Sequence, residues 1–286
     1  MNISLIGTGL MGQALVEHLL EQKQQVTVYN RTAENLTNSV RLGAVAVESA
    51  QAALEASDIC LLMLSDATAI NAVLTTIDAE YLTNKTIIQM GTIAPGESRQ
   101  LEALITANGG NYLECPVLGS LPEARTGTLI LMAAGSPDSY TTALPLLQLL
   151  GTEPQYIGAT GQGATVKLAM NQLIAGLTSS FALSLALVEK EGIKTEQFMN
   201  IVRASALYAP TFDKKLSRML DRDFSKPNFP TKHLAKDTHL FLSVARQLGL
   251  ETCALEGISQ LLDKTLEQGL ADTDYSAIIA GVTNSK

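Results

Sequence analysis

The feature that most constrains this chain is a long, nearly uncharged stretch from Gly161 to Gly192. Its first charged residue is Lys167, the next is Glu189, and no proline interrupts it. A helix of this length would span roughly 40 Å, because each residue adds about 1.5 Å. The sequence before it alternates between strand and helix patterns, whereas the sequence after it has helical patterns throughout. We therefore predict an α/β domain at residues 1–160 and an all-helical domain at residues 161–286, with this helix between them.

Three interpretations of this helix compete. About 20 mostly apolar residues are enough to cross a membrane, but polar residues such as Asn171 and Ser184 interrupt the stretch, and we expect no membrane partner. A helix that is apolar on all sides is otherwise buried, here between domains or in a homodimer or homotetramer. The third interpretation concerns its start. Lys167 and Asn171 are four residues apart and share one face, and a lysine in an apolar segment is expected to lie in a cleft.

Composition excludes several classes of partner. The 286 residues, 46% hydrophobic and 17% charged, describe an ordinary globular protein that is long enough for two domains. The net charge of −8 argues against nucleic acid or an anionic membrane as partner. Three cysteines without a CxxC pair indicate neither a disulfide framework nor a zinc site, and we predict no metal. The first predicted strand starts too early for a signal peptide, so a cytoplasmic location is expected.

A glycine-rich loop lies between the first predicted strand and an amphipathic helix. The loop consists of Gly7, Thr8, Gly9, Leu10, Met11 and Gly12. This is the G-x-G-x-x-G pattern in the strand–loop–helix context that binds dinucleotides. Gly7 would allow the tight turn, Gly9 would let the backbone approach a pyrophosphate, and Gly12 would let the helix pack closely on the strand. The helix N-terminus would offer its free N–H groups to the phosphates.

The end of the second predicted strand decides which dinucleotide we expect. Asn30, Arg31 and Thr32 stand there, eighteen or more residues after Gly12. An NAD site normally has Asp or Glu at this point to hold the ribose 2′-hydroxyl. A carboxylate would repel a 2′-phosphate, whereas these three side chains can donate hydrogen bonds to it. The sequence therefore favours NADP (NADPH) over NAD, with a turn capped by Asn30 as the alternative.

The ends of later strands supply further candidates. Strands are predicted at residues 58–64 and 86–90. Ligands bind outside the carboxyl ends of the strands in an open α/β sheet, so Leu64, Ser65 and Thr92 are expected to contact the cofactor.

Two segments are predicted to be irregular. Cys115 to Ser120 shows neither a helical nor a strand period, and Phe224 to Lys232 contains two prolines. The remainder of the second half is predicted to be helical.

Taken together, these stretches resemble the β-hydroxyacid dehydrogenases, the family of 3-hydroxyisobutyrate dehydrogenase. The matching segments are Gly7–Gly12, Thr92-Ile93-x-Pro95, Pro116-Val117-x-Gly119 leading to Gly127-Thr128-Leu129, Gly161-x-Gly163-x3-Lys167-x3-Asn171, and Lys236-Asp237. Three further segments look most like the glyoxylate/succinic semialdehyde reductase branch, which favours NADPH: residues 122–124, 229–237 and 274–277. The resemblance implies a Rossmann-type doubly wound sheet followed by an all-α domain built on the long inter-domain helix.

The resemblance also implies roles for single residues. Lys167 would be the catalytic lysine and Asn171 would help to bind the substrate. Thr92 and Lys236 would contact the cofactor near its nicotinamide. The substrate carboxylate would face a loop made of Leu118, Gly119 and Ser120.

The chain departs from the family pattern at two of these positions. Leu118 stands where the family usually has a serine, which removes a hydroxyl donor from the carboxylate site, and Ser120 could partly replace it. Gly91 also replaces a usual serine, beside Thr92. These changes leave the cofactor site intact and put the natural substrate in doubt.

The implied reaction is the reduction of a small aldehyde, of the glyoxylate or succinic semialdehyde type, to a hydroxy acid. An ordinary lysine has a pKa of about 10.4 and is charged at neutral pH, which suits Lys167 to act as the general acid. One alternative is an imine or ketone reductase with a less polar substrate, which Leu118 favours. Related imine reductases generally replace the lysine with Asp or Tyr, so Lys167 argues against it. The other alternative is a non-catalytic NADP-binding scaffold.

Overall fold

The computed structural model describes residues 1–283. Its contacts divide the chain into two compact units, one of residues 1–167 and one that starts at Leu168. The first unit contains a mixed sheet with helices, and the second is helical. The predicted fold class, a Rossmann-type sheet followed by an all-helical domain, is confirmed. The domain boundary predicted after residue 160 stays a prediction.

The sheet of the first unit has nine strands within residues 1–283. They are β1 Asn2–Ile6, β2 Gln25–Tyr29, β3 Val45–Ala46, β4 Ile59–Leu62, β5 Thr86–Gln89, β6 Asn111–Glu114, β7 Val117–Leu118, β8 Ile130–Gly135 and β9 Gln155–Gly158. Their order is β3-β2-β1-β4-β5-β6-β8-β7, with β9 beside β8. The strands from β3 to β6 are parallel, and β8 is antiparallel to β6. The order reverses between β1 and β4, which is where ligands bind in doubly wound sheets.

Helices cover both faces of this sheet. They are α1 Leu10–Glu21, α2 Thr37–Arg41, α3 Ala50–Glu55, α4 Ala67–Leu74, α5 Pro95–Ala107, α6 Leu121–Thr126 and α7 Pro137–Leu150. Successive strand residues point to opposite faces. In β1, Leu5 packs in one core cluster with Leu15 of α1 and Leu147 of α7, whereas Ile6 belongs to a second cluster with Leu54 of α3. The central strands β1, β4 and β5 are buried on both faces apart from Asn2, which is typical of parallel strands between two layers of helices.

The second unit is built around the long helix. Its helices are α8 Gln162–Lys190, which begins in the first unit, α9 Thr195–Ala204, α10 Pro210–Asp221, α11 Thr231–Gln247, α12 Cys253–Glu267 and α13 Ile278–Thr283. Its core cluster contains Phe181 and Leu185 of α8 together with Met199, Leu234 and Leu262 from the surrounding helices. The predicted long helix is therefore confirmed.

Helix α8 is long and apolar enough to cross a membrane by length and composition, and it is the one such helix within residues 1–283. Of its most apolar 18-residue window, 44% is buried in this chain. A core helix of a soluble protein passes the same test, so this finding is weak evidence for a membrane span.

Two segments differ from the prediction of irregular structure. Val117–Leu118 forms β7, whose residues pair with Leu131 and Ile130 of β8. A strand of two residues is too short to show a period of two in the sequence. The predicted loop at residues 224–232 ends earlier than expected, because α11 already begins at Thr231.

Candidate functional site

Two glycines of the first loop are required because backbone atoms lie close to them. Gly7 has φ +102°, a conformation that favours glycine, and a Cβ there would collide with the carbonyl oxygen of Met63. Its backbone N–H donates to the carbonyl of Tyr29, 3.0 Å away. A Cβ on Gly12 would collide with the carbonyl of Gly7. Both residues therefore have the structural roles that the G-x-G-x-x-G pattern predicts.

Gly9 differs from its two neighbours in the motif. Its backbone is ordinary (φ −69°) and it is the N-cap of α1, so its conformation does not require glycine. A Cβ at this position would have no heavy atom of the protein within 4 Å. The first turn of α1 contains no acidic residue. This open space at a helix N-terminus fits a pyrophosphate, which would approach the backbone where a side chain would otherwise stand.

The Asn30 side chain organises the loop as well as the end of β2. Its Oδ1 accepts a hydrogen bond from the backbone N–H of Thr8 at 3.1 Å, and its Nδ2 donates to the carbonyl of Thr32 at 2.9 Å. Both ends of the amide thus have partners within the protein, as the turn-capping alternative predicts. Arg31 is exposed beside it. Of the three predicted 2′-phosphate contacts, Arg31 is the one that brings a positive charge.

The ends of β4 and β5 lie next to each other, as the parallel pairing requires. A Cβ on Gly91 would collide with the carbonyl oxygen of Leu64, so glycine is required where the family usually has serine. The hydroxyl of Ser65 donates to Asp66 at 2.8 Å, and Asp66 caps α4 by accepting from the N–H of Ala69. Thr92 is half-buried after β5.

The predicted carboxylate loop lies between β7 and α6. Leu118 is half-buried in β7, and Gly119 is exposed. Ser120 is the N-cap of α6: its hydroxyl donates to Glu123 at 2.7 Å and its backbone N–H donates to the same oxygen at 2.8 Å. The hydroxyl hydrogen of Ser120 is thus bound within the protein, which weakens the suggestion that it replaces the serine missing at position 118.

Lys167 lies in the second turn of α8, and the start of this helix is tied to the sheet. Glu114, the last residue of β6, accepts hydrogen bonds from the backbone N–H groups of Gly161 and Ala164 at 2.9 and 3.1 Å. Its carboxylate is almost completely buried. No local pattern in the sequence marks Glu114, because its partners are 47 and 50 positions away in the chain.

Asn171 and Lys236 are brought together in the second unit through Asp237. Nδ2 of Asn171 donates to Oδ2 of Asp237 at 2.6 Å, and Nζ of Lys236 lies 2.8 Å from Oδ1 of Asp237. Asn171 is 2% exposed, and its Oδ1 has no hydrogen-bond partner within residues 1–283. A buried acceptor without a donor costs about 1–3 kcal/mol. A ligand hydroxyl or amine would supply that donor.

Asp274, which belongs to one of the family-like segments, is a fully buried carboxylate. It accepts from Nζ of Lys215 at 2.8 and 2.9 Å and from the hydroxyl of Ser276 at 2.8 Å. Lys215 also lies 4.1 Å from the ring centroid of Tyr275. Burial raises the pKa of the Asp274 carboxyl, but the Lys215 ammonium and the Ser276 hydrogen bonds outweigh it and hold this pKa below its usual value. The pair fastens α10 to the segment before α13.

Metal ligands do not cluster in the part of the chain that the structure describes. Within residues 1–283, no three His, Cys, Asp or Glu side chains are placed to hold a metal ion. His233 stacks on Phe229, and burial together with the nearby lysines lowers the pKa of its ring.

Comparison with known proteins adds to this geometry. The family model for the NAD binding domain of 6-phosphogluconate dehydrogenase matches residues 2–158, and the model for the NAD-binding of NADP-dependent 3-hydroxyisobutyrate dehydrogenase matches residues 161–282. Glyoxylate/succinic semialdehyde reductase 1 of Arabidopsis thaliana is 30% identical over 289 residues and 100% of both chains. 2-Hydroxy-3-oxopropionate reductase of Escherichia coli (strain K12) is 30% identical over 98% of this chain and 96% of its own. The structure of 3-hydroxyisobutyrate dehydrogenase from Mycobacterium tuberculosis has the same fold, with a TM-score of 0.86, 22% identity and 97% of each chain covered.

Proposed function

Because the chain belongs to the β-hydroxyacid dehydrogenase family of 3-hydroxyisobutyrate dehydrogenase and is an NAD(P)-dependent oxidoreductase of that family, we propose that it reduces a small carboxylated aldehyde with NADPH. Glyoxylate and succinic semialdehyde are the leading substrates. The names of the two relatives support this class, since they state reduction of glyoxylate, succinic semialdehyde and 2-hydroxy-3-oxopropionate. The hydroxy acid is the product.

The observation that carries the proposal is the buried amide of Asn171. Its Oδ1 is an acceptor without a donor in the described chain, and Asp237 fixes the orientation of the amide. The hydroxyl of a hydroxy acid is a donor of the kind this atom needs. When bound, the nicotinamide supplies the hydride that the aldehyde carbon gains. Nζ of Lys167 donates the proton to the carbonyl oxygen and stabilises the negative charge that develops there.

A panel of aldehydes, ketoacids and cyclic imines, with NADPH consumption followed by absorbance, tests this proposal. We expect turnover of carboxylated aldehydes, with weak activity on glyoxylate and a preference for a longer or less polar substrate, because Leu118 offers no hydroxyl to the carboxylate. Turnover of cyclic imines alone would favour the imine reductase alternative, which also fits Leu118. NADPH binding without turnover of any compound would favour the scaffold.

The preference for NADPH is proposed from Arg31. A hydrogen bond to a charged group contributes about 1.5–3 kcal/mol, so Arg31→Ala should weaken NADPH binding about ten- to hundredfold and leave NADH binding nearly unchanged. Fluorescence titration of both cofactors measures this. Arg41→Ala removes another exposed arginine of the same unit and serves as the control. An equal loss of affinity for both cofactors would contradict the 2′-phosphate role of Arg31.

A homodimer, or a homotetramer built from it, is proposed from the outer side of α8. Leu173, Leu177, Leu183 and Leu187 are 41–63% exposed there, at positions that recur with the helical period. A second copy of the chain would bury this apolar stripe. Light scattering at micromolar concentration should give at least twice the chain mass of 30.4 kDa. A stable monomer would contradict this proposal.

A further inference from the structure

We propose that Glu114 is a positioning residue for Lys167: its carboxylate fixes the first turn of α8 to the end of β6 and thereby sets where the Lys167 side chain starts. This inference rests on the proposed role of Lys167 as the proton donor. Every residue in the argument lies in the first compact unit of the chain.

The first turn of α8 lacks a capping side chain of its own. The carbonyl of Gly161 accepts the N–H of Thr165 at 3.0 Å, which makes Gly161 the N-cap, and glycine has no side chain. An N-cap side chain normally accepts from the second or third N–H of the helix. Here Oε1 of Glu114 accepts from Ala164, the third residue, at 3.1 Å and from Gly161 itself at 2.9 Å. A strand residue thus caps a helix that begins almost 50 positions later.

The second carboxylate oxygen of Glu114 is held just as firmly. Oε2 accepts a short hydrogen bond from the hydroxyl of Ser98, and the Ser98 oxygen lies 2.8 Å from the hydroxyl of Tyr112. Ser98 has one hydrogen, which it gives to Glu114, so Tyr112 must donate to Ser98. All three side chains are buried. The carboxylate therefore cannot rotate away from α8 without breaking this chain of bonds.

The contacts favour an ionised carboxylate. The backbone N–H groups of Gly161 and Ala164 can only donate, and an ionised carboxylate accepts such hydrogen bonds most strongly. The positive end of the α8 dipole also favours a negative charge at this place. Burial raises the pKa of Glu114 above its ordinary value, while the bonds from Ser98, Ala164 and Gly161 act in the opposite direction.

The glycines of the Gly161-x-Gly163 pattern fit the same arrangement. Gly161 has φ +97°, and a Cβ there would collide with the guanidinium of Arg99. A Cβ on Gly163 would lie 2.5 Å from the carbonyl of Met132 and 3.1 Å from Oε1 of Glu114. The helix thus starts in close contact with β6 and β8. Lys167 follows Ala164 by three residues, less than one turn, so a shift of this first turn displaces Lys167 as well.

The test separates the effect of the length of the Glu114 side chain, its reach towards α8, from the effect of its charge. Glu114→Gln keeps the reach and the Oε1 acceptor, and its amide can donate to Ser98, so kcat should stay within about threefold of the wild type. Glu114→Asp keeps the charge but withdraws it from α8, and misplacing a catalytic group by about 1 Å costs up to about 10²-fold. We expect Glu114→Asp to lower kcat about ten- to hundredfold, with KM and the NADPH dissociation constant nearly unchanged. Ser49→Ala, which removes the cap of α3, is the control for a general loss of stability.

All variants are assayed below their melting temperatures, so kcat refers to folded protein. Normal kcat in Glu114→Asp would overturn the inference, as would an impaired Glu114→Gln beside a normal Glu114→Asp, because charge would then matter instead of reach. A kcat loss in Ser49→Ala equal to that in Glu114→Asp would also overturn it. The parallel Lys167→Ala assay keeps the two proposals distinct. If Lys167 is essential and Glu114→Asp is normal, this inference alone fails; if Lys167→Ala is normal, the proposed function of Lys167 fails.

Discussion

Lys167→Ala should lower kcat for the best aldehyde of the panel by about 10²–10⁴-fold, the usual contribution of a positioned general acid. The affinity for NADPH should stay nearly unchanged, since the phosphates are expected at the glycine loop and at Arg31. Steady-state kinetics and a cofactor titration on the same preparation measure both quantities. Lys190→Ala removes an exposed lysine from the other end of α8 and should change neither.

The proposed mechanism requires that Lys167→Ala lowers kcat while the affinity for NADPH stays nearly unchanged. Near-normal kcat in Lys167→Ala would mean that water or another side chain supplies the proton. A parallel loss of turnover and NADPH affinity would instead indicate that the substitution disturbs the first compact unit as a whole. Either outcome would remove Lys167 from the role of general acid.

Asp274→Ala should be the most destabilising single substitution that we propose. It leaves the Lys215 ammonium buried without its counter-ion, and removing one partner of a buried ion pair typically costs about 3–5 kcal/mol. Chemical denaturation measures the free energy of unfolding. Asp272→Ala is the matched control. Asp272 lies two positions before Asp274 in the sequence and forms an exposed ion pair with Lys232. Exposed pairs contribute little, so this control should unfold almost like the wild type.

The stabilisation by the Asp274 carboxylate should depend on pH and on the presence of Lys215. The pKa of Asp274 is lowered in the folded protein. The stability gained from the carboxylate is therefore present above the ordinary aspartate pKa of about 3.9 and is lost as the pH falls through the lower, folded value. Removing both charges, with Lys215→Met in Asp274→Ala, should cost less than the sum of the single losses. Strictly additive losses would show that the two residues do not stabilise each other.

Local patterns were sufficient to predict the fold class and the glycine loop. The requirement for Gly12 follows from a strand, a turn and a helix that are contiguous in the sequence, and the apolar run of α8 is readable by itself. The hydrogen bonds of Asn30 are also local, which is why turn capping could be named as an alternative. The two-residue strand β7 could not be predicted, because pairing with β8 creates it and no local pattern does.

The contacts that hold the site in place join residues that are distant in the sequence. Glu114 precedes its partners at the start of α8 by 47 and 50 positions, and Lys215 precedes Asp274 by 59. Spacing carries no information about such pairs, since nothing in one sequence says which distant segment will lie opposite. The family resemblance singled out Asp274 but did not supply its partner.

A substitution in a glycine loop usually impairs folding and cofactor binding together, but the open space at Gly9 separates these two effects. Changes at Gly7 or Gly12 would push backbone atoms apart and disturb the fold itself, whereas a methyl group on Gly9 would meet no protein atom within 4 Å and would enter only the space where we expect the phosphates. A substitution at Gly9 should therefore give a folded reference protein that no longer binds its cofactor. Comparison with this reference protein would show whether any other variant of this chain has lost cofactor binding or has lost its fold.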